Sequence, residues 1–144
     1  MSNTVEDRIV VAADLDAVFD VIADFDAYPD WQAEVKEAQT LQTDADGRGT
    51  RVRFLVDARV IKARLVLDYT YTDTSMEWVL VEGDGVRRND GRYDLRELGD
   101  GTTEVTYALE VEPSVPVPGL IRRQAAKRII DGALAGMKRR VEQR

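Results

Sequence analysis

The clearest hydrophobic pattern in the chain runs from Ile61 to Thr72. Ile61, Ala63, Leu65, Leu67, Tyr69 and Tyr71 alternate with Lys62, Arg64, Val66, Asp68, Thr70 and Thr72. A period of two with one apolar side predicts a long β-strand with one face on a core and one in water. The same alternation recurs in Val52, Phe54 and Val56, in Met76, Trp78 and Leu80, in Gly91, Tyr93 and Leu95, and in Val105, Tyr107, Leu109 and Val111. Thr4–Val11, with β-branched Ile9, Val10 and Val11, reads as a first strand. Turn signals separate the runs at Asp46-Gly47, Gly83-Asp84-Gly85 and Gly99-Asp100-Gly101. Short links between alternating strands predict an antiparallel meander, and no helix-length pattern lies between them to build βαβ units.

The period changes twice. After Asp14, a candidate N-cap, Leu15, Val18, Phe19 and Ile22 fall on one helical face. The segment Asp24–Trp31 then breaks the pattern, because Pro29 disfavours helix at Tyr28, and a short helical turn or loop is expected. Pro113, Pro116 and Pro118 form a stiff link. Helix is predicted from Pro118 to about Val141, with Ala125, Ala126, Ile129, Ile130, Ala133, Leu134, Met137 and Val141 as one apolar stripe. About 24 residues give a rod of roughly 36 Å, and a 12-residue strand spans about 40 Å, so the helix can lie along the sheet. The expectation is a single α+β domain over residues 1–144, a curved antiparallel sheet of about seven strands wrapped around a long C-terminal helix, with two short helices after the first strand.

Composition narrows the chemistry. The 144 residues include no cysteine and no histidine. That excludes disulfides, thiolate and imidazole catalysis and His- or Cys-bound zinc, and the scattered carboxylates show no calcium-loop spacing, so no metal is expected. No cofactor is expected either. No apolar run reaches the roughly 20 residues of a membrane span. The polar start Met1–Arg8 lacks the apolar core of a signal peptide, which points to a cytoplasmic protein. The net charge of −7 argues against nucleic acid as a partner. The charge is uneven: residues 1–46 carry twelve acids and two bases, residues 118–144 eight bases and two acids. A solvated helix face partly paired with the acidic N-terminal third explains this better than membrane-surface contact, since the apolar face is needed for the sheet. Nothing in the pattern sets an oligomeric state.

Three stretches carry a family resemblance: Ala17–Trp31 with its Tyr28-Pro29-x-Trp31 turn, Gly101–Tyr107 leading into the last strand, and Pro116–Arg123 with the helix it opens. In this order they resemble the helix-grip fold of the START-like (SRPBCC) superfamily. They are most similar to bacterial polyketide cyclase/dehydrase-like and coenzyme-Q-binding START-like proteins. The resemblance spans the whole chain and implies a cavity between sheet and helix for an apolar ligand such as a lipid, quinone or polyketide. It does not imply a particular chemistry, since these motifs are structural.

The candidate ligand-binding residues follow from phase. From the sheet they are Phe54, Leu67, Tyr69, Trp78, Tyr93, Tyr107 and Leu109. Arg87 and Asn89 share the phase of Gly91 and Tyr93 and are expected inward, the arginine as an anchor for a carboxylate or carbonyl. Glu37 shares the phase of Val35 and Leu41. From the helix the candidates are Ala126, Ile130 and Leu134. Its small residues Ala125, Ala126, Gly132, Ala133 and Gly136 either leave volume against a concave sheet or allow the helix to approach it more closely. Two functional readings follow. One is a non-catalytic carrier or sensor of an apolar molecule. The other is a polyketide cyclase/aromatase working by Tyr and Arg proton transfer in the same cavity. No catalytic residue is assigned.

Overall fold

The computed structural model describes residues 4–59 and 61–143. Met1–Asn3 of the polar start lie outside them. The order is β1 (Val5–Val11), α1 (Leu15–Ile22), a 3-10 turn (Phe25–Asp30), then β2 (Val35–Thr43), β3 (Gly49–Asp57), β4 (Lys62–Tyr71), β5 (Ser75–Asp84), β6 (Val86–Glu97) and β7 (Thr103–Pro113), and finally α2 (Gly119–Glu142). The seven strands form one antiparallel sheet in the order β1-β7-β6-β5-β4-β3-β2. It matches the helix-grip architecture. No helix among the described residues is long and apolar enough to cross a membrane.

The elements arise where the pattern places them. Asp14 caps α1, its Oδ1 accepting from the Ala17 amide at 2.9 Å. Pro118 takes an extended conformation and its carbonyl accepts from Arg122 at 3.0 Å, so it caps α2 rather than serving as its first residue. The predicted stripe of α2 is buried along its whole length. The inward phase of β4, Ala63, Leu65, Leu67 and Tyr69, is buried, as are alternate residues of β7 from Thr103 to Pro113. On the outer face, exposed ion pairs such as Arg92 with Asp94 and Arg51 with Asp68 link neighbouring positions.

Two strands depart from simple alternation. In β2 the register shifts between Val35 and Glu37 and again between Thr40 and Gln42. The bulges rotate the strand, so Glu37 and Leu41 are exposed while Ala38 packs on the core. In β6, Val86 faces Pro113 and Arg88 faces Glu112, leaving Arg87 as an extra residue. Both breaks bear on the site below.

α2 packs chiefly on β1 and β7, while the 3-10 turn covers β2. Gly136 sets how low the helix sits. A Cβ added there would lie 1.9 Å from the carbonyl oxygen of Trp31. Gly132, one turn earlier, faces the Glu34 carboxylate. Of the two, Gly136 serves close approach to backbone, while Gly132 meets only the end of a side chain.

Candidate ligand cavity

Between the sheet, α2 and the 3-10 turn lies a cavity of about 50 Å³. β3 and β4 supply Phe54, Val56, Leu65, Leu67 and Tyr69; β5, β6 and β7 supply Trp78, Asn89, Tyr93 and Tyr107. Tyr28, Gln32 and Val35 close it from the N-terminal side, and α2 contributes Ile129. At roughly 10–15 Å³ per water it has room for about three to five waters. A ring-sized ligand requires the covering segments to yield.

The walls are aromatic. Trp78 sits at the centre, with its ring centroid 5.7 Å from Tyr69, 5.6 Å from Tyr93 and 5.5 Å from Tyr107. Tyr93 and Tyr107, opposite each other on β6 and β7, are 4.5 Å apart. Trp78 lies flat across Gly91, its cross-strand partner; a Cβ at Gly91 would fall 2.2 Å from the indole ring. Its Nε1 donates to Asn89 Oδ1 at 3.0 Å. The indole is thus fixed by a glycine below it and an amide at its edge.

The polar inventory is distinctive. Tyr28 donates its hydroxyl to the Ile22 carbonyl. The hydroxyls of Tyr69, Tyr93 and Tyr107 have no hydrogen-bond partner among the described residues, although all three side chains are buried. The side-chain amide of Gln32, a residue only 5% exposed, is equally unpartnered there. Asn89 has committed its oxygen to Trp78, leaving Nδ2 as a donor. Burial pushes the hydroxyls of Tyr69 and Tyr93 well above the usual tyrosine range. The same holds for Tyr107, where the nearby Glu34 charge adds to the effect. All three remain protonated at neutral pH.

The residues predicted from phase divide into three sets. Phe54, Leu67, Tyr69, Trp78, Asn89, Tyr93 and Tyr107 are brought together around the cavity. Leu109, Ala126, Ile130 and Leu134 are buried but do not line it, because α2 sits down on β1 and β7 and these side chains fill that contact. Arg87 is a correction. It is exposed, because the turn at Gly85 (φ +91°) is followed by the bulge that puts one extra residue into β6. Val86 is buried, Arg87 turns out and Asn89 resumes the inward phase. Arg88, beside it, pairs with Asp90 and Glu110 on the outer face.

Gln32 escaped the sequence reading. It lies between the 3-10 turn and β2, where no period marks which side chains point inward. The one available signal was its place directly after the aromatic anchor Trp31, whose ring packs 4.8 Å from Tyr28.

The comparisons agree with this geometry. A START superfamily protein from Mycobacterium smegmatis superposes with a TM-score of 0.89 at 27% identity, covering 97% of each chain. A protein from Thermus thermophilus gives 0.81 at 21% identity, again over 97% of both chains. The Zhui aromatase/cyclase from Streptomyces sp. R1128 gives 0.80 at 16% identity, over 98% of this chain and 94% of that one, a likeness of fold alone. No curated protein matches the sequence. A family model described as polyketide cyclase / dehydrase and lipid transport matches residues 2–142. With nearly its whole length matched and a helix-grip sheet closing on an aromatic cavity, the chain belongs to the polyketide cyclase/dehydrase and lipid transport family.

Proposed function

We propose that the protein binds an apolar small molecule, lipid, quinone or polyketide-like, in the cavity between the sheet and α2, as a carrier or sensor. The supporting observation is that the polar groups of Tyr69, Tyr93, Tyr107 and Gln32, on otherwise apolar walls, have no hydrogen-bond partner among the described residues. Groups left open in an apolar wall suit a ligand that supplies the partners, which is the usual make-up of a small-molecule site.

A cyclase/aromatase is the second reading. Three protonated tyrosines could donate to a developing enolate oxygen, and the Zhui aromatase/cyclase shares the fold. Against it, the cavity lining holds no carboxylate, lysine or histidine among the described residues to serve as a base.

The test is native mass spectrometry of protein purified from its own host or a related one, followed by organic extraction of what remains bound. A co-purifying apolar molecule at near-equal stoichiometry is the expected result. A clean unliganded mass under gentle conditions would set the carrier aside and favour a transient substrate. Because the lining tyrosines stay neutral, the affinity for an uncharged ligand is expected to be flat from about pH 6 to 9. Titration calorimetry across that range checks it, and a marked fall towards pH 9 would contradict it.

A further inference from the structure

We propose that the end of the molecule at which α2 begins is a docking surface for an anionic lipid bilayer. The residues concerned lie outside the cavity lining, so the docking does not depend on what the cavity holds.

Three chain segments assemble this end. The linker after β7 starts at the β5–β6 turn, where the Ser114 amide donates to the Gly85 carbonyl at 3.1 Å. That turn lies against the start of β4: a Cβ at Gly85 would fall 2.1 Å from the Lys62 carbonyl oxygen. Lys62 closes the β3–β4 connection opposite Asp57. α2 then runs away from this end along β1, Lys127 reaching Asp7 and Lys138 reaching the Val10 carbonyl.

The surface is apolar where the linker meets the helix. Leu120, at 69%, and Val115, at 63%, are the most exposed large apolar side chains among the described residues, and Ile121 is exposed beside them. The stripe of α2 that packs on the sheet begins at Ala125, so the sheet does not claim them. Such a cluster marks an interaction site more than a scattered exposed residue does.

The same surface is basic. Residues 113–130 contain no aspartate or glutamate, in a chain that has 27 such acids. Arg122 and Arg123 follow the exposed pair, and Arg59, Lys62 and Arg87 stand on the two adjoining turns. None of these five side chains has an ion-pair partner among the described residues, and Arg122 Nε is buried without a hydrogen-bond partner. The ion pairs of α2 begin only at Lys127, with Asp7 and Asp131, and continue at Lys138 and Arg140. Pairing with the acidic N-terminal third thus accounts for the far part of the basic helix and leaves its start open. The turns carry Asp57 and Asp84, and Asp57 is engaged by the Arg59 amide. The first turn of α2 holds no acid and Pro118 supplies no side-chain cap, so the helix dipole adds to the positive sign. By antiparallel alternation the β2–β3, β4–β5 and β6–β7 turns lie at the other end, with Asp44, Asp46, Asp73 and Asp100. A negative membrane surface therefore attracts the molecule basic end first.

The side-chain types favour a bilayer over a protein. Aliphatic groups flanked by arginine can enter the acyl boundary while the guanidinium groups stay with the phosphates. Protein interfaces are anchored mainly by aromatic residues and arginine, and the exposed large apolar residues described here are all valine, leucine or isoleucine.

The test is sedimentation of the full-length protein with sucrose-loaded vesicles of phosphatidylcholine alone, or of phosphatidylcholine and phosphatidylglycerol in equal parts. Binding to the anionic vesicles is expected to be at least about tenfold tighter. It is expected to fall as salt rises from about 0.1 M to about 1 M, which shortens the screening length from about 10 Å to about 3 Å. Arg87→Gln and Arg123→Gln are each expected to weaken it about fivefold, the share of one cation near such a surface. Arg139→Gln, exposed towards the far end of the same helix, is expected to leave it unchanged. Leu120→Trp supplies a reporter, since Trp31 and Trp78 are both buried. Its emission is expected to shift to the blue on anionic vesicles and not on neutral ones. No binding to anionic vesicles, equal binding to both kinds, or equal losses in Arg139→Gln and Arg123→Gln overturns the proposal. Retention on immobilised polyglutamate without vesicle binding also overturns it and assigns this end to an acidic protein partner instead. If a variant fails to fold by thermal melting, the wild-type comparison of the two vesicles decides alone.

Discussion

Gly136→Ala is expected to destabilise the protein by about 2 kcal/mol, while Gly132→Ala, four residues earlier on the same helix, is expected to be neutral or stabilising by up to about 1 kcal/mol. Both changes gain the same helix propensity, roughly 1 kcal/mol for alanine over glycine. They differ in what the new methyl meets. At Gly136 it would lie 1.9 Å from the Trp31 carbonyl oxygen and 3.0 Å from its carbon. That carbonyl belongs to a segment held by hydrogen bonds from the Trp31 and Gln32 amides to the Tyr28 carbonyl, so it cannot retreat cheaply. The helix must lift instead, at the cost of overpacking a fitted contact. At Gly132 the methyl meets the end of the Glu34 side chain, which can swing away and so release a buried oxygen that has no hydrogen-bond partner among the described residues. Urea unfolding of both variants, compared at equal m-value, checks the pair. A Gly136→Ala protein as stable as the wild type would mean that α2 does not approach Trp31 this closely.

Trp78→Ala is expected to cost about 3–5 kcal/mol, the range for deleting a large buried aromatic side chain. The indole is 5% exposed and forms the shared wall for Tyr69, Tyr93 and Tyr107. Its removal opens a void and strands the Asn89 oxygen. Trp78→Phe keeps most of the wall but still strands that oxygen, so a loss of about 1–3 kcal/mol is expected there. Chemical denaturation read by circular dichroism follows both without relying on the deleted fluorophore. A Trp78→Ala protein within about 1 kcal/mol of wild type would show that the indole is not a wall of the core.

The fold was legible because its signals were long. Six inward positions in a row at residues 61–71, and a stripe of eight apolar residues from Ala125 to Val141, leave little freedom in phase. Much of the cavity was legible for the same reason: Phe54, Leu67, Tyr69, Trp78, Tyr93 and Tyr107 sit on regular stretches of strand, so counting by two gives their direction. Legibility ended where regularity did. A single extra residue in β6 inverted Arg87, and the double bulge in β2 moved Glu37 outward. A bulge is set by local turn geometry and the partner strand, and residue types do not announce it. The role of the small residues on α2 was open for a different reason. Glycine and alanine leave room whether a void or a neighbour fills it, and only the position of the Trp31 carbonyl decides. Gln32 belongs to the irregular stretch that carries no period.

The sheet ends in two margins, β1 and β2, because the strand order never closes on itself. An open margin is a template on which a second chain can add a strand, the route by which many sheet proteins aggregate. Here both templates are spoiled. The register breaks in β2 interrupt the row of backbone groups that an incoming strand would need, and Lys36 and Glu37 stand exposed beside the first of them. β1 presents Glu6, Asp7 and Arg8 in succession, all exposed. The bulge that hid Glu37 from a reading by phase belongs to the same irregularity that makes this edge a poor template for a neighbouring strand.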